Sequence, residues 1–183
     1  MGQRGFGGEN RSLSTDTAIE RLSRRDSKSL AAFIVSLAED GGPVGDHMRT
    51  FIVGDDAEKL SSSIKERIES IEGISEYEHR HRRGAEIGQR LGFILDAIET
   101  WVMPLDPRRA FELLVRFVES DGVAMENCGE HDFEVSCAFK RAAALIGRTA
   151  RSLPVAPVQA AVRALLAEDA YGVRCPLGFI ATE

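Results

Sequence analysis

Apolar residues recur at spacings of three and four along most of this chain, and helix start and stop signals bound each run. The clearest run covers residues 106–118, where Asp106 is suited to cap a helix and Pro107 to occupy its first turn. This pattern predicts a helix with one buried face. The predicted buried face consists of Phe111, Leu114, Val115 and Val118.

Similar runs before this helix predict further amphipathic helices. Thr17 with Glu20 and Asp55 with Glu58 have the spacing of capping boxes, and Asp26 is a further candidate cap. The longest helix is predicted from Ser75 to about Met103. The predicted apolar faces are Leu30, Phe33, Ile34 and Leu37; Met48, Phe51 and Ile52; Leu60, Ile64, Ile68 and Ile71; and Ile87, Leu91, Ile94, Leu95, Ile98 and Val102.

After residue 118 the helix start and stop signals are less regular than in the preceding part of the chain. Asp121-Gly122 is interpreted as a helix end, followed by a looser segment over residues 123–131. A helix is then predicted from Asp132 to Ser152, and Pro157 is predicted to open the last one.

No alternating apolar and polar run bounded by hairpin turns occurs, so strands are not predicted. The expected fold class is all-α, either an antiparallel helical bundle or a short array of helical hairpins. The predicted organisation has a disordered arm over residues 1–14 and one helical domain over residues 15–170. Possible halves of that domain are 15–103 and 104–170, and residues 171–183 are predicted to form an irregular tail.

The composition and charge of the chain argue against phosphate-backbone binding and against membrane association. The chain has 183 residues and a formal net charge of −6, and an acidic chain is not typical of phosphate-backbone binding. No stretch has the roughly 18 apolar residues of a membrane-spanning helix, and no signal-peptide core is present, so we expect no membrane association. Three cysteines without a pairing pattern indicate reduced thiols and a cytoplasmic location.

Gly84, Gly88 and Gly92 lie four residues apart within the longest predicted helix. Such a stripe of small residues would let another helix approach closely. A ligand groove is the alternative interpretation.

Arginines are concentrated at the start of the same helix. Arg80, Arg82, Arg83 and Arg90 form a candidate binding site for phosphate or carboxylate groups, including those of nucleic acid. The alternative is a solvated helix start whose charge is balanced by nearby glutamates.

Cysteine and histidine residues form the second candidate site. Cys128 and His131 have the spacing of half a zinc site, with Cys137 six residues beyond His131. No second pair with zinc-ligand spacing follows, so ordinary cysteines and a loop histidine are the alternative. No nucleotide-binding, hydrolase or metalloprotease motif is present, and we therefore expect neither an enzyme nor a required cofactor.

Asp106-Pro107, Ala110, Leu113-Leu114 and Arg116-Phe117 resemble an uncharacterised bacterial helical domain family, domain-of-unknown-function family 6880. The likeness extends to residues 31–39, 126–139 and 165–173. The chain departs from the family pattern at Val115, where the family tends to have Trp, and at residues 128–132, where the family has more aspartates. The resemblance implies an α-helical, adaptor-like domain and implies no catalytic activity.

The leading hypothesis from the sequence is a non-enzymatic protein-binding module of adaptor or inhibitor type. A nucleic-acid-binding protein that uses the arginines is the first alternative. A metal-dependent protein that uses Cys128, His131 and Cys137 is the second.

Overall fold

The computed structural model describes residues 14–39, 42–72, 80–128 and 132–178, and within these ranges the side chains of residues 72, 80–85 and 132 are not described. The predicted arm lies almost wholly outside the described residues. In the described part every regular element is helical, which confirms the all-α prediction. The helices are α1 (Thr15–Ser23), α2 (Ser27–Glu39), α3 (Pro43–Ile52), α4 (Ala57–Glu72), α5 (Arg80–Ala97), α6 (Pro107–Glu119), α7 (Asp121–Asn127), α8 (Asp132–Ala150) and α9 (Val155–Ala167).

The caps that start the helices fall at or near the predicted residues. Asp106 accepts a hydrogen bond from the backbone N–H of Arg109, and Asp26 accepts one from Ser29, as predicted. The cap of α1 is Ser14 and not Thr17, and the cap of α4 is Asp56 and not Asp55. In both cases the residue that caps the helix lies one to three positions from the predicted cap and also has a side-chain oxygen.

The core is formed by the apolar faces of α4, α5, α6 and α8. Helix α6 packs against α8 and α4, while α5 packs against α8 and α3. Phe117 and Phe139 meet at the α6–α8 contact with ring centroids 5.1 Å apart. The predicted faces of α4 and α5 are buried at every position, and one continuous apolar cluster extends from Leu60 to Leu177.

A π-helical turn, Ile98–Val102, continues α5 where an unbroken α-helix was predicted. The backbone N–H of Met103 donates to the carbonyl of Ile98 at 2.9 Å, five residues back. Ile98 and Val102 are both buried, whereas Trp101 is partly exposed and points towards α3. Within five residues, the turn therefore contributes Ile98 and Val102 to the core and places Trp101 at the surface beside α3.

Two predictions after residue 118 are wrong. Helix α6 ends at Glu119, close to the predicted end at Asp121-Gly122, but the segment predicted to be looser begins with a short helix, α7, at Asp121. Pro157 is not the first residue of α9, since that helix begins at Val155 directly after Pro154. Proline is accepted in the first turn of a helix because the N–H groups there have no partner within the helix.

The C-terminal segment has no long helix, but its residues are packed against the core. A 3-10 turn, Cys175–Leu177, lies against α8 and α9, and Val173, Arg174 and Leu177 are buried. The buried side chain of Arg174 forms an ion pair with Asp121 at the start of α7. None of the helices in the described ranges has the length and apolar character needed to cross a bilayer.

Candidate functional site

The arginine cluster is only partly within the described side chains. Arg90 lies on α5 and is paired with Glu86 one turn earlier, through contacts of 3.1 Å from Nε and 2.7 Å from Nη2. The side chains of Arg80, Arg82 and Arg83 lie outside the described part, so binding through them stays a prediction. For Arg90 itself, the local carboxylate supports the interpretation of a balanced helix surface.

The Cys/His group is likewise only partly described. Cys128 is buried and its thiol donates to the carbonyl of Met125 at 3.1 Å, Cys137 is exposed on α8, and His131 lies outside the described residues. Within the described ranges no three side chains of His, Cys, Asp or Glu are grouped so that they could hold a metal ion. The zinc site therefore stays a prediction that depends on His131.

The small-residue stripe lets α8 approach α5 at one position. A Cβ built on Gly88 would lie 3.3 Å from the Cβ of Glu134 on α8, which is closer than ordinary contact. A Cβ on Gly92 would meet nothing within 4 Å. The prediction of close helix packing is thus confirmed at Gly88 and wrong at Gly92.

The predicted apolar face of α2 is only partly covered, and Leu37 on this face is half-buried. Only Ala38 is buried in this helix, although its sequence is apolar on nearly its whole circumference. Phe33 is 57% exposed, whereas Leu30 and Ile34 are half-buried. Helix α2 packs mainly on α3, and α1 has no buried residue.

An apolar cleft lies at the end of α3, the helix on which α2 packs. It has a volume of about 280 Å³ and is lined mainly by Phe51, Leu60, Trp101, Pro104 and Leu105. Phe51 and Leu105 are each about half exposed at its rim, and the ring of Phe51 lies 5.5 Å from that of Trp101. We refer to α2, the exposed side of α3 and this cleft as the N-terminal apolar surface. Its exposed side chains are Phe33, Val35, Val44, Phe51, Ile52 and Leu105.

A polar cluster lies where α3, α4 and α5 meet. Arg67 of α4 donates to Thr50 Oγ1 at 3.1 Å through Nη1, while its Nη2 atom is buried without a hydrogen-bond partner. His47 stacks between Phe93 and Trp101, and its Nδ1 atom is also buried and unpartnered. The sequence pattern missed Arg67, because a single arginine beside a line of isoleucines is typical of an amphipathic helix. Whether a carboxylate of another helix lies close enough to pair with Arg67 depends on the tertiary packing, which a local sequence pattern does not show.

A second cleft, of about 380 Å³, lies between α4 and α6. It contains three cationic side chains, but each has a carboxylate within ion-pair distance on its own helix or just before it. The pairs are Lys65 with Glu69 at 3.8 Å, Arg109 with Asp106 at 3.2 Å and Arg116 with Glu119 at 3.4 Å. This cleft is therefore electrostatically balanced, unlike the cluster around Arg67.

Comparison with known proteins identifies the family but no activity. No curated protein and no solved structure matches the chain. Residues 19–176 match the model of a Family of unknown function (DUF6880). Since the match covers most of the chain, this protein belongs to that family, in agreement with the resemblance noted in its sequence.

Proposed function

We propose that this protein is a non-enzymatic protein-binding module, and that its partner covers the N-terminal apolar surface. The observation that carries this proposal is the exposure of α2, in which only Ala38 is buried. A helix that is apolar on all sides is normally covered by other elements. Phe33 and Val35 are both exposed although they lie about 160° apart around the helix axis, so more than one side of α2 needs cover.

The distribution of exposed apolar side chains supports the same surface. Isolated exposed apolar residues are normal, but contiguous patches mark interaction sites. Of the eleven large apolar side chains exposed in the described part, six lie on this surface. These six are Phe33, Val35, Val44, Phe51, Ile52 and Leu105.

The cleft beside α3 supplies a place for an anchoring side chain. Binding energy at protein interfaces is concentrated in a few large side chains that fill pockets. The cleft presents Phe51, Trp101 and Leu105 to such a side chain, and its volume suits one or two large apolar groups. The partner chemistry that fits is an amphipathic helix, with its apolar face on α2 and α3 and one aromatic or leucine side chain in the cleft.

Site-specific photo-crosslinking in cells tests this proposal. A photoreactive phenylalanine analogue is placed at Phe33, at Phe51 or, as the control, at Phe133, which is 73% exposed on α8 away from this surface. We expect the same partner to be captured from positions 33 and 51 and not from 133. Equal capture from all three positions would count against the surface. If the crosslinked products contain only two copies of this chain, the surface mediates self-association and does not bind a different protein.

Loss-of-binding variants give a second measurement. Phe33→Glu and Phe51→Glu should abolish capture. Phe33→Glu should change the free energy of unfolding by only about 0.5 kcal/mol because its side chain is exposed. Phe51→Glu should cost about 1 kcal/mol because it also loses the contact with the ring of Trp101. Phe133→Glu is the matched control and should retain capture. If the partner still binds both variants, the proposal fails.

A further inference from the structure

Arg67 carries a charge that lacks a carboxylate partner among the described residues. Its Nη1 atom donates to the Thr50 hydroxyl at 3.1 Å, and its buried Nη2 atom has no partner. The Thr50 hydroxyl itself donates to the carbonyl of Asp46 at 3.0 Å, so it offers no negative charge in return. A partly buried guanidinium in this state is unfavourable, because Nη2 loses water without gaining a hydrogen-bond acceptor.

The charges nearest to Arg67 add to this imbalance. Arg49 of α3 pairs with Asp46, and Arg90 of α5 pairs with Glu86. Both of these carboxylates are therefore already engaged by another arginine. Burial and the positive charges of Arg90 and Arg49 lower the pKa of Arg67 to about 10, although the charge of Asp46 acts in the opposite direction. Arg67 is still protonated at neutral pH and has no ion-pair partner among the described residues.

We propose that Arg67 is the centre of a binding site for a single oxyanion, either a phosphate or a carboxylate group. Nη2 of Arg67 is the primary donor, and Arg90 lies close enough to add a second positive charge. A guanidinium is well suited to this role, because its planar N–H groups match the oxygens of both anions. This site lies next to the cleft of the N-terminal apolar surface, because Trp101 lines the cleft and stacks on His47, but it does not depend on the protein-binding proposal.

The oxyanion reaches Arg67 only when neighbouring side chains move. Nη2 of Arg67 has no exposed area, whereas the side chains of Arg90 and Arg49 are 26% and 50% exposed. Long arginine side chains at a surface reorient readily, since a surface ion pair contributes little to stability. The oxyanion then competes with Glu86 for Arg90. Removing the charge of Glu86 should therefore strengthen binding.

Trp101 is a built-in reporter of this site. It is the single tryptophan of the chain, and its ring lies 4.9 Å from that of His47. Arg67 is near enough to His47 to lower the pKa of the imidazole. An anion at Arg67 changes the electrostatic environment of His47 and the indole, so binding should change the fluorescence of Trp101.

The test titrates the purified full-length protein with inorganic phosphate or sodium acetate, against chloride at matched ionic strength. Trp101 fluorescence and calorimetry are the readouts. We expect saturable one-to-one binding of phosphate or acetate. Arg67→Met should weaken that binding at least about tenfold, as loss of a charged hydrogen bond does. Glu86→Gln should strengthen it, and Arg163→Met, at an exposed position on α9, should leave it unchanged.

The two anions distinguish the class of ligand. Saturation by phosphate alone assigns a phosphate group, and saturation by acetate alone assigns a carboxylate group. Saturation by neither anion overturns the proposal. Equal affinity in the parent protein and in Arg67→Met also overturns it.

Thermal unfolding guards against a variant that merely misfolds. In chloride, Arg67→Met should unfold cooperatively at the parent temperature or above it, because an unpaired charge has been removed. Phosphate raises the unfolding temperature of most proteins through exclusion from their surface. The relevant quantity is therefore the additional increase in the parent protein over that in Arg67→Met. No additional increase with either anion would contradict the proposal.

Discussion

Arg174 and Asp121 form a two-point ion pair in the interior, although 53 residues separate them in the chain. Nε and Nη2 of Arg174 each donate to one carboxylate oxygen of Asp121 at 2.7 Å, and both side chains are 4% exposed. Arg174 also donates to the carbonyl of Leu165 at 2.8 Å, near the end of α9. A single side chain thus connects the start of α7 to the end of α9 and fixes the C-terminal segment on both.

Removing one member of this pair should destabilise the protein strongly. Asp121→Asn leaves a buried guanidinium without its counter-charge, so we expect the free energy of unfolding to fall by about 3–5 kcal/mol. Replacing both residues, as Asp121→Leu with Arg174→Met, should recover much of this loss because no buried charge remains. Urea unfolding of Asp121→Asn, Arg174→Met and the double variant measures the effect. A double variant as unstable as Asp121→Asn would contradict this account.

An exposed pair provides the control for that experiment. Arg108 and Glu112 lie one turn apart on α6 with an Nε–Oε1 distance of 3.2 Å, and both side chains are more than half exposed. Arg108→Ala should change the free energy of unfolding by only about 0.5 kcal/mol. A comparable loss at both pairs would mean that burial is not the deciding factor.

Alanine at the two glycines of α5 should give different results. At Gly92 the added Cβ meets nothing within 4 Å, so Gly92→Ala should stabilise the protein by about 0.5–1 kcal/mol through helix propensity. At Gly88 the Cβ would lie 3.3 Å from the Cβ of Glu134, and α8 would have to move by a few tenths of an ångström. Gly88→Ala should therefore gain less stability or lose some. Chemical denaturation measures both, and equal stabilisation would contradict close packing at Gly88.

Stability should fall on mild acidification because of His47. Burial lowers the pKa of His47 below its ordinary value of 6.5, as does the charge of Arg67, whereas Asp96 and the Phe93 backbone act in the opposite direction. The unfolded chain therefore takes up a proton at this residue at a higher pH than the folded protein does. The resulting loss of stability begins near pH 6.5 and continues until the pH passes below the pKa in the folded protein.

His47→Phe isolates this contribution. The variant keeps an aromatic ring between Phe93 and Trp101 but cannot titrate, so its stability should depend less on pH between about 6.5 and 5. Thermal unfolding at a series of pH values provides the comparison. Parallel curves for the parent protein and the variant would show that His47 contributes nothing to the acid sensitivity.

The three thiols should react at different rates with a thiol reagent. Cys137 and Cys175 are exposed and should be modified in the folded protein, whereas buried Cys128 should react only when the protein unfolds. The zinc hypothesis makes a further prediction, namely that added zinc slows the modification of Cys137. If zinc leaves the rate at Cys137 unchanged, and elemental analysis of protein purified without chelators detects no metal, the metal-dependent alternative is eliminated.

Local sequence patterns predicted the helices well where caps and core contacts agree. Asp106 caps α6 as predicted, and the isoleucines of α4 are buried because one face of that helix meets both α5 and α6. Helix α6 itself is more buried than predicted. Ala110, Leu113 and Phe117 are buried in addition to the predicted Phe111, Leu114 and Val118, because helices pack on α6 from several sides. Val115, which was also predicted to be buried, is only half-buried.

Long-range relationships could not be predicted from such patterns. The spacing of Leu30, Phe33, Ile34 and Leu37 correctly predicts a helix, but periodicity does not show whether another element covers that face. Arg174 lies in a segment without periodicity, and its burial depends on Asp121, 53 residues earlier. The same holds for Arg67, whose importance comes from the charges that two other helices bring near it.

The π-helical turn at Ile98–Val102 is geometrically equivalent to the insertion of one residue into a regular α-helix. Loss of a single codon within it would restore α-helical geometry and rotate the C-terminal end of this helix by about 100° relative to α5. Trp101 would then leave the ring of His47 and the cleft that it shares with Phe51, while α6 would enter the core in a different orientation. Natural length variation within this family should therefore be tolerated in the connections between helices and excluded from these five residues.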